Sequence, residues 1–234
     1  MRKYFSVLGD SISTLDGYNP RGYDVYYKFE KCHKANVFMP EDTWWGQVIG
    51  AFGGELLVND SWSGSMVCRH PKCLIPSYGA SDERTGNLGR DGISPDVVMV
   101  YIGANDWGAA MRIDPEPGGE ESLAFFRVAY RVMLEKIRRN YPSAELWCFT
   151  LGVSKCVRNP MFEFPYRYAG RHIEEYNAVI RDCAKEAGCQ LIELFPSLVE
   201  EPFDTVEGFH PNADGMKTIS AVVLRQIAEA GIRP

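Results

Sequence analysis

Short apolar runs bounded by turn residues recur at positions 4–8, 55–58, 97–102, 145–150 and 190–194. Each has the length of a buried strand. Between them the apolar positions follow a helical period. Residues 43–52 follow Asp42, which is suited to cap a helix, and 122–139 carry Leu123, Phe126, Ala129, Val132, Met133 and Ile137 along one stripe. Segments 170–187 and 214–230 repeat the pattern. Strands that alternate with helices imply right-handed crossovers and a parallel sheet covered on both faces. The pattern therefore predicts an α/β fold, a three-layer α/β/α sandwich around a five-stranded parallel sheet.

No internal repeat, low-complexity tract or Ser/Pro-rich linker divides the chain, so residues 1–234 read as a single domain. Two irregular stretches stand out. Residues 16–41 are rich in Gly, Tyr and Pro, and residues 68–95 mix Pro, Gly and charge. Long loops in a compact domain are usually functional, which makes 16–41 a candidate lid.

With 45% hydrophobic residues in 234, the chain can bury a sizeable core. A net charge of -6 argues against a surface built to hold phosphate backbones, so nucleic acid is not an expected partner. No stretch has the apolar length of a membrane span, and the N-terminus lacks the pattern of an export signal. The expected location is cytoplasmic. Seven cysteines form an odd, sparse set, read as small buried hydrophobes in a reducing compartment.

In an open parallel sheet, ligands bind beyond the carboxyl ends of the strands. The first strand is followed by Gly9-Asp10-Ser11, the second by Asn59 to Gly64, and the third by Gly103-Ala104-Asn105-Asp106. Glu207 and His210-Pro211 precede the last helix. These four blocks, in this order from residue 9 to residue 212, resemble the motif blocks of the SGNH/GDSL hydrolase family. The resemblance implies a flavodoxin-like sandwich and an ester hydrolase. It assigns Ser11 as nucleophile, His210 as general base, and an oxyanion hole made of the Ser11 and Gly64 N–H groups and the Asn105 amide.

The chemistry explains the grouping. A serine hydroxyl needs an imidazole to take its proton, and that imidazole is best held by a carboxylate. The family usually places Asp three residues before the histidine, whereas this chain has Glu207. Asp204, or a backbone carbonyl alone, remains an alternative partner for His210. Asp10 and Asp106 are expected to order the turns beside Ser11 and Asn105.

Other residues are weighed against plainer roles. Trp44 and Trp45 fit core packing. Trp62 and Trp107 lie next to the oxyanion-hole positions and are candidate substrate contacts, either stacking on a sugar ring or walling an acyl pocket. Cys32-His33 and Cys68-Arg69-His70-Pro71-Lys72-Cys73 invite a zinc reading, but their spacing is not a usual zinc pattern. No metal or other cofactor is expected. Arg84 reads as part of a capped, solvated helix start rather than a substrate clamp, and the roles of Tyr166, Arg167 and Tyr168 stay open. The expected partner is a small-molecule ester. The favoured reaction removes a short acyl group, acetyl above all, from a carbohydrate-like substrate through an acyl-enzyme. A lipase, phospholipase or thioesterase for longer chains, a metal-dependent hydrolase, and a non-catalytic carbohydrate-binding descendant are the alternatives.

Overall fold

A computed structural model describes residues 2–70, 78–152, 162–200 and 204–232. In chain order the elements are β1 (Tyr4–Gly9), α1 (Glu30–Ala35), α2 (Trp44–Ala51), β2 (Glu55–Ser61), α3 (Asp82–Gly86), β3 (Val97–Tyr101) and α4 (Ala104–Gly108). There follow α5 (Phe126–Asn140), β4 (Glu145–Phe149), β5 (Phe162–Glu163), β6 (Arg167–Tyr168), β7 (Arg171–His172), α6 (Ile173–Glu186), β8 (Gln190–Ile192), α7 (Leu194–Glu200) and α8 (Ala213–Glu229). The five predicted strands form one parallel sheet in the order β2-β1-β3-β4-β8.

Both faces of that sheet are covered, because side chains alternate across a strand. From β3, Val97, Met99 and Tyr101 enter a core with Trp44, Trp45 and Val48 of α2 and Met216, Ile219 and Val223 of α8. Val98 and Val100 face the opposite way, into a core with Phe126, Met133 and Ile137 of α5 and Tyr176 and Ile180 of α6. Two apolar layers on one continuously buried strand explain why its sequence is apolar throughout.

The element ends differ from the sequence reading where polar groups are buried. Strand β2 runs to Ser61, past Val58, because Asn59, Asp60 and Ser61 continue the register with β1 up to Gly9. Thr43, not Asp42, caps α2 by accepting from the Gly46 N–H at 3.0 Å, while the Asp42 carboxylate takes the Phe38 and Met39 N–H groups. Residues 16–41 are built rather than irregular. They contain α1 and are pinned by Tyr27, whose buried hydroxyl donates to the Pro211 carbonyl at 2.7 Å, and by Asn19, which donates to the Asn59 and Ser61 carbonyls. Helix α3 begins at the capped start expected beside Arg84, whereas the short elements α1, α4, α7 and the antiparallel β5-β6-β7 lie outside the predicted set. Among the described residues no helix is long and apolar enough to cross a membrane.

Candidate active site

The site begins where β1 ends. Gly9 leads into a single turn of 3-10 helix, Ser11–Ser13, capped by Asp10, whose carboxylate accepts from the Ile12 N–H at 3.1 Å. A side chain at position 9 would meet Ser61 Oγ and Ser13 at under 3.0 Å, so the close packing of β1 against β2 requires glycine there. This turn aims the Ser11 hydroxyl at the loop that precedes α8.

That loop is a tight two-sided return. The Val206 N–H donates to the His210 carbonyl and the Asn212 N–H to the Asp204 carbonyl, and Asn212 then caps α8 by accepting from Gly215. His210 is thereby held with Nε2 2.8 Å from Ser11 Oγ, and its Nδ1 is in hydrogen-bond contact with Glu207 Oε1. Both imidazole nitrogens are thus occupied. Asp204 is exposed and contributes its main-chain oxygen, so no ring nitrogen is left for its carboxylate.

Sequence reasoning missed Tyr26. Its hydroxyl donates to Glu207 Oε2 at 2.9 Å, and its ring lies on the His210 ring at 3.5 Å and 9°. Partial burial works to raise the Glu207 pKa, but the hydrogen bonds from His210 and Tyr26 outweigh it and hold the carboxylate below its ordinary value. No sequence signal pointed to Tyr26, because its partners lie some 180 residues away in the chain.

Opposite the histidine, Asn105 stands in the first turn of α4 and donates through Nδ2 to the Ser65 carbonyl at 2.9 Å. A primary amide carries two N–H groups, so one remains for a ligand. Asp106 is fully buried and accepts from the Val67 and Cys68 N–H groups at 2.7 and 2.9 Å, which staples the loop after Gly64 to α4. Gly64 itself is exposed with φ +80, a left-handed turn position that side chains disfavour, and nothing within 4 Å crowds it. Burial pushes the Asp10 carboxyl up to about 7 and that of Asp106 to about 6.

A cavity of about 350 Å³ opens beside these groups, lined by Ser11, Asn105 and His210 together with Ile12, Met66 and Phe209. Tyr168 also borders it, whereas Tyr166 is buried against Phe195 and Arg167 is exposed. A larger cavity of about 650 Å³ lies along the outer strand β2, away from Ser11 and His210.

Trp107 departs from expectation. It is 1% exposed, packs on Phe162, Tyr168 and Phe209, and donates through Nε1 to the Arg171 carbonyl, so it supports the cavity wall from behind instead of meeting substrate. Trp62 is half-buried and stacks on Tyr23 at 4.0 Å. Arg84 is also corrected. Ser81 does cap α3, but the guanidinium is fully buried and bonded to Asp60. Trp44 and Trp45 sit in the core as expected, both bonded to Ser13. Among the described residues no group of three or more His, Cys, Asp or Glu side chains could hold a metal ion, and Cys73 of the zinc reading lies outside them.

A serine on a tight turn, a histidine hydrogen-bonded to it and an amide donor around one cavity are a constellation suited to acyl transfer. The sequence pattern of the GDSL-like lipase/acylhydrolase family matches residues 3–227. The chain belongs to that family. It is a GDSL-like hydrolase, an enzyme of the esterase kind. No curated protein matches its sequence. Among solved structures, a candidate GDSL-like lipase from Bacteroides ovatus is 25% identical with a TM-score of 0.74, covering 98% of this chain and 99% of its own. The aryl esterase of M. smegmatis shares the fold at 15% identity and a TM-score of 0.65, covering 97% of this chain and 99% of its own. So does a carbohydrate esterase family 2 enzyme from Corynascus thermopiles, at 16% identity and a TM-score of 0.62, covering 99% of this chain and 67% of that one.

Proposed function

We propose that this GDSL-like hydrolase cleaves small carboxylic esters through an acyl-enzyme on Ser11. The observation that carries the reading is the continuous chain Glu207, His210, Ser11, which ends at a cavity that Asn105 also lines. Ser11 Oγ attacks the ester carbonyl carbon as its proton passes to His210 Nε2, and Glu207 stabilises the imidazolium that forms. The oxyanion is met by the Ser11 and Gly64 N–H groups and the free N–H of Asn105. Collapse expels the alcohol, which takes its proton from His210. Water then attacks the acyl carbonyl with His210 as base, releasing the acid and restoring Ser11.

For the substrate, we propose a short acyl group, acetyl the simplest, on a carbohydrate-like alcohol. A compact cavity beside Ser11 supports the short acyl group, and the half-buried Trp62 on Tyr23 supports an aromatic platform for the alcohol. The burial of Trp107 removes the second aromatic once expected to take part. The apolar lining by Ile12, Met66 and Phe209 favours a second reading, a lipase- or thioesterase-like enzyme for somewhat longer chains. A panel of acetylated sugars and p-nitrophenyl esters of increasing length, on the wild type and Ser11→Ala, tests both. Turnover is expected to fall about 10⁴-fold or more in the variant. Equal rates would overturn the nucleophile assignment, and a preference for the longer p-nitrophenyl esters over the acetylated sugars would favour the second reading.

A further inference from the structure

Tyr26 lies on the segment before α1, far in sequence from every motif of the site, yet it makes two separate contacts with the groups that would activate Ser11. Its hydroxyl takes the Glu207 oxygen that His210 leaves open, at 2.9 Å. Its ring lies parallel to the imidazole, 9° apart, at a centroid distance of 3.5 Å. The ring is itself anchored. The Tyr26 N–H donates to Thr14 Oγ1, and the Thr14 hydroxyl donates to the Ser11 carbonyl, both at 2.9 Å. The closed circuit Ser11, His210, Glu207, Tyr26, Thr14 therefore returns to the nucleophile's own backbone.

We infer that Tyr26 is a positioning residue of the hydrolase site, which holds Glu207 and the His210 ring in the geometry that activates Ser11. The inference rests on the assignment of Ser11, His210 and Glu207 proposed above. Glutamate has one more rotatable bond than aspartate, and ordering a long side chain costs entropy. The Glu207 side chain is also 42% exposed, so water competes for its oxygens. A second tether on Oε2 offsets both effects. The stacked phenol blocks rotation of the imidazole and presents a π-face to the imidazolium formed during the reaction.

The groups facing His210 are Glu207 on its own loop, Ser11 after β1, Tyr26 from the segment before α1, and Tyr168 across the cavity. Lys31 of α1 places its ammonium 4.2 Å from the Tyr26 centroid, and since the imidazole fills one face, Lys31 takes the other. From this set the direction of each effect follows. Removing the hydroxyl leaves more negative charge on Glu207 facing the imidazolium, which moves the acid limb of the kcat/KM profile to higher pH. Removing the ring as well withdraws the π-face and moves that limb back to lower pH.

The test compares Tyr26→Phe and Tyr26→Leu in the wild-type and Glu207→Gln backgrounds, with p-nitrophenyl butyrate as the probe substrate. Tyr26→Phe is expected to lower kcat roughly tenfold, as for loss of one hydrogen bond to a charged group, with KM unchanged and the acid limb moved to higher pH. Tyr26→Leu loses more, with its acid limb below that of the Phe variant. In the Glu207→Gln background, where the charge is gone, Tyr26→Phe has little further effect. A wild-type kcat and pH profile in Tyr26→Phe would overturn the inference, as would an equal loss in both backgrounds, which a general folding role produces. If Ser11→Ala keeps full activity, the underlying site assignment fails instead. If Ser11→Ala is inactive while Tyr26→Phe is normal, only the role of Tyr26 fails.

Discussion

Arg84 donates through Nη2 to the main-chain carbonyl of Gly9 at 3.0 Å, so a fully buried guanidinium is bonded to the turn that carries Ser11. The same side chain donates to Asp60 Oδ2 at 2.5 Å, to the Asp60 carbonyl at 2.6 Å and to Ser65 Oγ at 2.7 Å. Ser65 in turn receives the Asn105 amide on its carbonyl. One cation thus ties the ends of β1 and β2 to the loop opposite His210.

The stability of this arrangement depends on the pair more than on either charge. Removal of one partner leaves the other buried and unpaired, which costs about 3–5 kcal/mol, whereas neutral replacement of both is far milder. Arg84→Met is expected to lose stability of that order in urea unfolding. Arg84→Met with Asp60→Asn should be more stable than Arg84→Met alone. A double variant as unstable as the sum of the singles would show that packing, not the stranded charge, sets the loss.

In the proposed mechanism Asn105 and Gly64 act on the transition state by different routes. Asn105→Ala removes a side-chain donor and is expected to cut kcat by about 10²–10³-fold with little change in KM. At Gly64 an added methyl meets nothing within 4 Å, but the φ of +80 makes it strained by about 1 kcal/mol or more. Gly64→Ala should therefore lower kcat by tilting the peptide N–H and lower the melting temperature by only about 2–4 °C. A large rise in KM at unchanged kcat in either variant would contradict a role confined to the oxyanion.

Much of the fold and the core of the site was legible because both depend on local pattern. The five strands are short apolar runs whose neighbours in sequence are turns; Ser11 and Asn105, which follow β1 and β3, meet His210 of the loop before α8 because parallel strands share one carboxyl edge. What was not legible depends on distant packing. Trp107 and Trp62 look alike in sequence, next to motif residues, yet Trp107 is sealed by Phe162, Tyr168 and Phe209 from two other segments. Arg84 reads as solvated from its charged neighbours, and only its meeting with Asp60 across 24 residues explains its burial. The ribbon β5-β6-β7 has two-residue strands, too short to show a period.

The buried carboxyls give the stability a pH dependence of definite sign. Asp10 and Asp106 have folded pKa values of about 7 and about 6, both raised by burial above the ordinary 3.8. The folded state therefore binds more protons than the unfolded chain across roughly pH 4 to 7, and stability falls as pH rises through that window. Glu207, whose pKa is lowered, acts in the opposite sense and only in more acidic solution. Urea unfolding should give a higher stability at pH 5 than at pH 7.5. In Asp10→Asn, which retains an acceptor for the Ile12 N–H, the difference should shrink. An unchanged pH dependence in that variant would exclude Asp10 as its source.

Phe209, beside His210 in sequence, lines the cavity next to Ser11 and contacts both Trp107 and Tyr168. Its ring closes the apolar side of the space available to an acyl group, so Phe209→Ala should enlarge that space without touching Ser11 or Asn105. A gain of apolar volume favours longer acyl chains by about 0.8 kcal/mol for each methylene newly buried, about fourfold in kcat/KM. Across p-nitrophenyl acetate, butyrate and hexanoate, the variant is expected to move its optimum toward the longer esters while activity on acetate falls or holds. If the preference stays as in the wild type, the acyl group does not occupy the 350 Å³ cavity, and the chain-length limit must lie elsewhere on the rim.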